Sequence, residues 1–339
     1  MTDTTYRRLG SSGLKASTLA VGTMMFGGPT PEDEAQRIVD HARDHGVNFI
    51  DTANVYEKGR SEETTGRIVA AHRQHWIVAT KLAQPTGAGP NDRGLSRRNI
   101  LVATDASLAR LGTDWIDIQY IHRVDAGVPW PEIARAFGDL IQSGKIRYWG
   151  LSNVRAWHIP VIAAACREVG APLPVVLQPC YNIMSRMPEV ELFPAARAFD
   201  LGIAAYSPLA RGVLSGKYVP GSNAPPDTRA GRGDRRMMQT EWRPESLAIA
   251  QKLKAHAEGR GVSLVEFAIA WALANAAVTS VIAGPRTFAQ WEGYVRALDV
   301  GFTAADETLV DSLVPPGHPS TPGYTDPEYP VEGRYPMIG

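Results

Sequence analysis

Cysteine is scarce in this chain, and other features that would assign a protein to a class are missing too. The 339 residues include two cysteines, Cys166 and Cys180, which excludes a disulfide framework and a cysteine-based zinc site. Such scarcity fits a reducing compartment, so we expect a cytoplasmic location. The 35 basic and 35 acidic side chains leave no net charge, which argues against nucleic acid or an anionic membrane as a partner.

No segment has the pattern of a signal peptide or a membrane span. The first residues, MTDTTYRRLGSSG, lack the apolar stretch of a secretory signal. The most apolar stretch, residues 267–284, is interrupted by Asn275, Thr279 and Ser280, and it is better explained as a helix followed by a strand. The G-x-G-x-x-G fingerprint, the P-loop, G-x-S-x-G, H-E-x-x-H and C-x-x-C are absent, which argues against a doubly wound nucleotide-binding fold.

Short β-branched runs alternate along the chain with helical patterns of about 10–15 residues, which indicates βα units and a parallel sheet. The runs span residues 19–22, 47–51, 75–81, 116–122, 146–152, 175–178, 202–207 and 278–284. Eight such units predict a (β/α)8 TIM barrel, formed as a single domain by residues 1–339.

Three segments fall outside this alternation. Residues 5–18 contain two extended pieces around Gly13 and predict an N-terminal β-hairpin that closes the bottom of a barrel formed by residues 19–313. Residues 210–244 are rich in Gly, Pro and Arg and predict a long loop after the seventh run; such loops often act as lids. The Pro- and Tyr-rich tail, residues 314–339, wraps the surface, crosses the barrel mouth or is disordered.

Four polar side chains are predicted to meet at one end of the barrel. Asp51, Lys81 and His122 close the second, third and fourth runs, Tyr56 lies on the loop after the second, and strand ends converge on one face of a barrel. A phenol is a weak acid with an ordinary pKa of about 10, and a nearby ammonium favours its ionised form. The group is therefore suited to protonate a carbonyl oxygen while a cofactor supplies hydride, which no side chain can give.

Segments at the ends of the predicted strands, taken in order, resemble the aldo-keto reductase family over nearly the whole chain. They are GTMMFGG, DTANVYEKG, VATK, IHRVD and the series GLSN, LQPCYN, AYSPLARGVLSGKY and GPRTFAQWE. The resemblance implies that Tyr56 is the general acid in reduction and the base in oxidation. It also implies that Lys81 tunes Tyr56, that Asp51 holds Lys81 and that His122 orients the carbonyl.

The resemblance further implies a nicotinamide cofactor, usually NADPH, extended across the barrel mouth. Ser152, Asn153 and Gln178 match positions that hydrogen-bond the carboxamide, and Tyr206 matches the aromatic residue that stacks under the nicotinamide ring. The remaining cofactor-binding residues implied by the match are Gly22, Thr23, Asp51, Ser207, Leu209, Arg211, Lys217, Arg229, Gly284, Arg286 and Gln290.

One part of the match departs from the family. Many relatives follow the last segment with an acid and an asparagine that hold adenine, where this chain has Gly293 and Tyr294. Those contacts are absent here, or they are replaced by stacking on Tyr294. Arg286 still offers a guanidinium suited to a 2′-phosphate, so we expect NADPH rather than NADH.

The mouth loops are expected to shape a substrate pocket. Met24 and Phe26 are explained as well by packing, and Arg123 faces an anionic or polar substrate or pairs with Asp125. The histidines between residues 41 and 75 fall on predicted helix faces or loops, so we expect no metal site. The predicted pocket residues are Met24, Phe26, Tyr56, His122 and Arg123.

Two functions fit these observations. The first is an NAD(P)H-dependent oxidoreductase that reversibly reduces an aldehyde or ketone, a small-molecule carbonyl substrate, to an alcohol, with Tyr56 as general acid and base. The second is a slowly turning-over, cofactor-binding regulatory or scaffold subunit like the channel-associated β subunits, which the chain resembles in YSPLARG. The short segment before the predicted barrel favours the enzyme. The sequence specifies neither the substrate nor the oligomeric state.

Overall fold

A closed barrel of eight parallel strands forms the centre of the molecule in the computed structural model, which describes residues 5–331 and 333. Each barrel strand pairs with the next in the chain, and the last pairs with the first. Residues 1–4 of the predicted domain, and residues 332 and 334–339 of the predicted tail, lie outside the described residues. The strands are β1 (Tyr6–Arg8), β2 (Lys15–Ser17), β3 (Leu19–Gly22), β4 (Phe49–Asp51), β5 (Ile77–Leu82), β6 (Ile116–Ile121), β7 (Ile146–Ser152), β8 (Val176–Gln178), β9 (Gly202–Tyr206) and β10 (Ser280–Ala283).

Helices surround the barrel, so the predicted TIM-barrel fold is confirmed. All eight predicted runs are strands, and their bounds differ from the predicted ones by two residues at most. The helices are α1 (Glu32–Asp44), α2 (Arg60–Val69), α3 (Arg97–Leu111), α4 (Trp130–Gln142), α5 (His158–Val169), α6 (Leu192–Ala198), α7 (Arg235–Thr240), α8 (Pro244–Gly259), α9 (Leu264–Ala274), α10 (Phe288–Arg296) and α11 (Ala304–Leu313).

The antiparallel hairpin of β1 and β2 covers the end of the barrel where its strands begin. Leu9, in the turn, is fully buried and packs with interior residues such as Phe49 and Ile118. Gly10 has a φ of +57°, and a Cβ atom at this position would lie only 2.1 Å from the carbonyl oxygen of Val175. The turn is thus held against the barrel backbone so closely that only glycine fits.

The segment of residues 210–244 contains regular structure that the sequence analysis did not predict. A 3₁₀ turn spans Ala210–Ser215, and α7 follows before α8 begins at Pro244. Asp234 caps α7 by accepting a hydrogen bond from the backbone N–H of Met237 at 2.9 Å, and Met237 itself is fully buried. Burial of one side of this short helix anchors the segment on the barrel.

The described part of the tail crosses the mouth of the barrel, which is one of the three alternatives left open by its sequence. Arg236, on α7, forms ion pairs with Asp326 at 2.7 Å and Glu328 at 3.4 Å. Arg155, after β7, donates hydrogen bonds to the backbone carbonyl oxygen of Tyr329 at 2.7 Å. The tail is therefore tied to the loops that follow two different barrel strands.

The described part of the chain contains neither a membrane-spanning helix nor a cluster of metal-binding side chains. None of its helices is both long enough and apolar enough to cross a membrane. None of its groups of three or more His, Cys, Asp or Glu side chains could hold a metal ion. The segment of residues 267–284 is a helix, α9, followed by a strand, β10, as its sequence pattern predicts.

Candidate active site

The carboxyl ends of three adjacent strands bring Asp51, Lys81 and His122 together with Tyr56. The Lys81 ammonium donates hydrogen bonds to the Asp51 carboxylate, to the carbonyl oxygen of Thr52 at 2.7 Å and to the Tyr56 hydroxyl at 3.3 Å. The rings of Tyr56 and His122 meet edge to face, with centroids 6.0 Å apart. The phenol and the imidazole thus border the same space, and the ammonium lies behind the phenol.

The buried Lys81 and Asp51 form an ion pair that points the ammonium at Tyr56. Burial disfavours the charge of Lys81, but the Asp51 carboxylate and Tyr56 outweigh it and raise the pKa of Lys81 above its usual value. Burial raises the pKa of Asp51, while Lys81 and Gln178 act in the opposite direction. Gln178 donates to the second Asp51 oxygen at 2.8 Å. Both carboxylate oxygens are therefore engaged, which fixes the direction of the ammonium.

His122 is a neutral imidazole at physiological pH. Its burial, together with the positive charges of Lys81 and Arg123, lowers the pKa of His122 to about 3. Its Nδ1 atom has no hydrogen-bond partner among the described residues. A neutral imidazole carries one N–H donor, and it can donate that hydrogen bond to a carbonyl oxygen without giving up the proton.

The residues predicted to hold a nicotinamide carboxamide form a connected network beside these four. Asn153 donates to the backbone carbonyl oxygen of His122 at 2.9 Å and accepts from the Tyr206 hydroxyl at 2.9 Å. Ser152 donates to the backbone carbonyl oxygen of Gln178 at 2.9 Å. Asn153 has a φ of +55°, in the left-handed region that non-glycine residues rarely occupy. Such backbone strain is typical of positions whose side chain must point into a site.

A cavity of about 870 Å³ extends over this network to the loop after β10. Lys81 does not line it and lies beneath Tyr56. A volume of this order is near the upper end for small-molecule and cofactor sites. The predicted site residues that line the cavity are Gly22, Thr23, Met24, Asp51, Tyr56, His122, Ser152, Asn153, Gln178, Tyr206, Ser207, Leu209, Arg211, Lys217, Arg229, Gly284, Arg286 and Gln290.

Two predicted pocket residues are not among the residues that line the cavity. Phe26 is fully buried in the hydrophobic core, which is the packing alternative left open by the sequence. Arg123 is exposed. The Asp125 carboxylate accepts hydrogen bonds from the backbone N–H groups of Leu95 at 3.0 Å and Gly127 at 3.1 Å. Asp125 thus holds the backbone of two loops. Among the described residues, it forms no ion pair with Arg123.

Sequence reasoning missed several residues that line the cavity. Gln84 lies two residues after β5, and its place at a strand end was a usable signal. Arg232 and Arg236, which the sequence analysis did not assign to the site, come from the segment after β9. Glu328 and Tyr329 come from the tail. The sequence indicated that these two segments could reach the barrel mouth, but neither has a periodic pattern from which the side chains that face the cavity could be selected.

The charges and backbone of the cavity fit a dinucleotide phosphate. Arg211 has a buried Nε with no hydrogen-bond partner among the described residues, the kind of donor that a phosphate oxygen would satisfy. Arg211 and Ser207 have φ values of +51° and +61°, which marks this segment as strained. Seven cationic side chains and three carboxylates line the cavity: Arg211, Lys217, Arg229, Arg232, Arg236, Arg286 and Arg296, against Asp51, Asp227 and Glu328.

Comparison with known proteins agrees with this geometry. The model of the Aldo/keto reductase family matches residues 18–315, which include all eight barrel strands. The chain is 39% identical over 301 residues to a probable voltage-gated potassium channel subunit beta of Arabidopsis thaliana, covering 87% of this chain and 91% of that protein. It is 36% identical over 328 residues to an uncharacterized oxidoreductase of Bacillus subtilis, covering 94% and 98%. It is 34% identical over 327 residues to L-glyceraldehyde 3-phosphate reductase of Escherichia coli, covering 92% and 93%.

Proposed function

The chain belongs to the aldo/keto reductase family of oxidoreductases, and from this premise we propose that it reversibly reduces an aldehyde or ketone to an alcohol with hydride from NADPH. The observation that carries the proposal is the contact of the Lys81 ammonium with both Asp51 and the Tyr56 hydroxyl at the floor of the cavity. A phenol in contact with an ammonium is a better proton donor than an isolated one, because the positive charge stabilises the phenolate that proton transfer leaves behind.

The nicotinamide cofactor would be held by side chains that line the cavity. Ser152, Asn153 and Gln178 offer hydrogen bonds for the carboxamide, Tyr206 offers its ring, and Arg211 offers its unpartnered Nε for a phosphate. When bound, the cofactor supplies the hydride that no side chain can provide.

The protein's own side chains handle the carbonyl oxygen and its proton. Tyr56 donates its proton to that oxygen as the oxygen gains negative charge. Lys81 stabilises the resulting phenolate, and Asp51 keeps Lys81 charged and directed. Neutral His122 donates a hydrogen bond to the same oxygen and so fixes its position. In alcohol oxidation Tyr56 accepts the proton back.

The preference for NADPH over NADH rests on the cations at the far part of the cavity. Arg286 follows β10, lines the cavity and forms no salt bridge in the described part of the chain. Its guanidinium donates one hydrogen bond to the backbone carbonyl oxygen of Asp227 at 3.2 Å and has further N–H groups to offer a 2′-phosphate. NADH lacks this phosphate. The net positive lining of the cavity also favours the more negatively charged of the two cofactors.

A regulatory, cofactor-binding subunit is the second candidate, because one similar protein is named as a potassium channel subunit beta. The two candidates differ in turnover. We therefore expect purified protein to bind NADPH and to reduce members of a panel of aldehydes and ketones, followed at the nicotinamide absorbance. Binding without turnover on any of them would favour the regulatory subunit, and binding of neither NADPH nor NADH would overturn both candidates.

Substitution of the proposed acid tests the mechanism. Tyr56→Phe is expected to lower kcat by at least about 100-fold, because general acid catalysis typically contributes that much. The Kd for NADPH, measured by fluorescence titration, is expected to stay within about twofold, since little but the proton donor is removed. The control is Tyr148→Phe on β7, which lies outside the cavity lining and should keep the wild-type kcat. If Tyr56→Phe retains more than about a tenth of the wild-type rate, another group is the acid.

A further inference from the structure

Two arginines from different segments donate hydrogen bonds to one backbone carbonyl oxygen, that of Asp227. Arg232 lies in the segment after β9, and its Nη1 is 2.6 Å from this oxygen. Arg286 lies just after β10, and its Nη1 is 3.2 Å from the same oxygen. Both side chains line the cavity. The shared acceptor therefore holds two positive charges next to each other at the cavity wall.

Neither of these two arginines forms a salt bridge within the described part of the chain. Three other arginines that line the cavity each have a carboxylate partner: Arg229 with Asp234 at 3.7 Å, Arg236 with Asp326 at 2.7 Å and Arg296 with Glu266 at 2.7 Å. Arg232 and Arg286 have no such partner among the described residues. Asp227 contacts both of them through its backbone carbonyl oxygen, and its side-chain carboxylate forms no salt bridge with either. Two adjacent like charges repel, and an anion placed between them removes that cost.

We propose that Arg232 is a second specificity-determining residue for the cofactor and binds the 2′-phosphate of NADPH together with Arg286. This inference rests on the proposed function. A phosphate monoester carries close to two negative charges and three acceptor oxygens, so it can engage two guanidinium groups at once. The carbonyl oxygen of Asp227 sets the spacing of the two arginines before the phosphate arrives, which lowers the entropic cost of binding.

The position of Arg232 gives the contact a second consequence. Arg286 belongs to the barrel, whereas Arg232 belongs to the segment of residues 210–244 that covers one side of the cavity. A phosphate held by both joins that segment to the barrel. NADPH is thus expected to hold the segment against the barrel. NADH lacks the phosphate and should not form this link.

The test compares binding of the two cofactors to matched variants. Fluorescence titrations with NADPH and with NADH are made on the wild type, Arg232→Ala, Arg286→Ala, the double variant and Arg235→Ala. Arg235 is an exposed arginine of the same segment that does not line the cavity, so its variant controls for loss of one surface charge. Arg232→Ala is expected to weaken NADPH binding about tenfold, because one charge-assisted pair is lost, and to leave NADH binding within about twofold.

The double variant tests whether the two arginines share one anion. If they bind the same phosphate, their effects on NADPH affinity are coupled, and the double variant departs from the product of the two single effects. 2′-AMP should compete with NADPH on the wild type better than 5′-AMP does, and Arg232→Ala should reduce that advantage. This competition requires no turnover.

Two results would overturn the inference. One is an Arg232→Ala protein whose ratio of NADPH to NADH affinity equals that of the wild type, which would make Arg232 a loop arginine with a local backbone contact. The other is an equal loss in Arg235→Ala, which would reduce the effect to long-range charge. Failure of the proposed function is a separate outcome, because it would appear as a wild type that binds neither cofactor.

Discussion

Where its strands begin, the barrel is closed by a hairpin, whereas at the other end, where they finish, it opens into a cavity of about 870 Å³. The closed end is apolar: Leu9 is fully buried among interior residues such as Phe49. The open end holds the buried ion pair of Lys81 and Asp51, and a strained residue, Asn153. One end thus provides hydrophobic burial, and the other contains groups that are costly to bury.

The difference shows how one barrel separates stability from chemistry. Buried charges and left-handed backbone lower the stability of the open end, and they persist because the rest of the structure holds them in place. The packing of the closed end offsets that cost at a distance from the cavity. In TIM barrels the catalytic groups come from the carboxyl ends of the strands, which agrees with this division.

The largest effect on stability is expected at the closed end. Leu9→Ala should lower the free energy of unfolding by about 2–5 kcal/mol, because it leaves a cavity among fully buried residues. Its kcat, measured well below the unfolding transition, should stay within about twofold of the wild type, since no cavity residue is touched. Urea unfolding measures the free energy of unfolding, and steady-state kinetics measure kcat. Tyr56→Phe is expected to show the reverse, with a large loss of kcat and a small loss of stability. A large loss of kcat in folded Leu9→Ala would show that the two ends are not independent.

A smaller effect is expected from the titration of His122 at the open end. Its pKa is lowered to about 3 in the folded protein, against an ordinary value of about 6.5 in the unfolded chain. Between these values the unfolded chain binds more protons, so the contribution to stability is complete above about pH 6.5 and is lost as the pH falls towards 3. For the ligand-free protein we expect a loss on the order of 1–2 kcal/mol between about pH 7 and pH 5.

Two histidine variants isolate this contribution. His122→Asn should show a shallower dependence of unfolding free energy on pH in this range, because the titrating group is gone. His72→Asn is the control and should keep the wild-type slope. His72 lies in the short 3₁₀ segment after α2, is exposed and does not line the cavity. Equal slopes for wild type and His122→Asn, measured by denaturant unfolding at several pH values, would contradict a neutral His122.

The smallest effect on stability is expected where the tail meets the open end. Asp326→Asn removes a partly exposed ion pair with Arg236 and should cost less than about 1 kcal/mol of unfolding free energy. Its expected effect is instead kinetic. Arg236 lines the cavity, so loosening it should let NADPH dissociate a few times faster in stopped-flow experiments. Asp114→Asn, which changes an exposed residue before β6, is the matched control. An unchanged dissociation rate would mean that the tail does not hold the cavity wall.

The sequence was a good guide to the barrel and to the residues at its strand ends. Asp51, Lys81 and His122 could be placed together at one end of the barrel because each closes an apolar, β-branched run whose end is easy to recognise. The ends of α3 also follow from local chemistry: the Ser96 side chain accepts a hydrogen bond from the backbone N–H of Asn99, and Gly112, with a left-handed backbone, ends the helix. Local patterns sufficed wherever the structure depends on residues close together in the chain.

The walls of the cavity could not be predicted in the same way. Arg236 and Asp326 are 90 residues apart in the sequence and meet only when the tail crosses the mouth. Residues 210–244 have no repeated pattern from which the inward-facing side of α7 could be recognised. Phe26 lies in a glycine-rich loop, where spacing does not show whether a side chain packs inward or faces a pocket; the structure buries it.

The contact of Arg155 with the tail has a consequence for how this protein can diverge. Arg155 donates to the backbone carbonyl oxygens of Tyr329 and Pro330, at 2.7 and 2.8 Å, so the anchor depends on main-chain atoms and not on the side chain at either position. Tyr329 lines the cavity. A substitution at residue 329 can therefore change the side chain on one side of the pocket while the tail backbone stays in place. Natural variation and laboratory selection should both find new substrates more readily here than at Asp51, Tyr56, Lys81 and His122, whose exchange would remove the proposed chemistry.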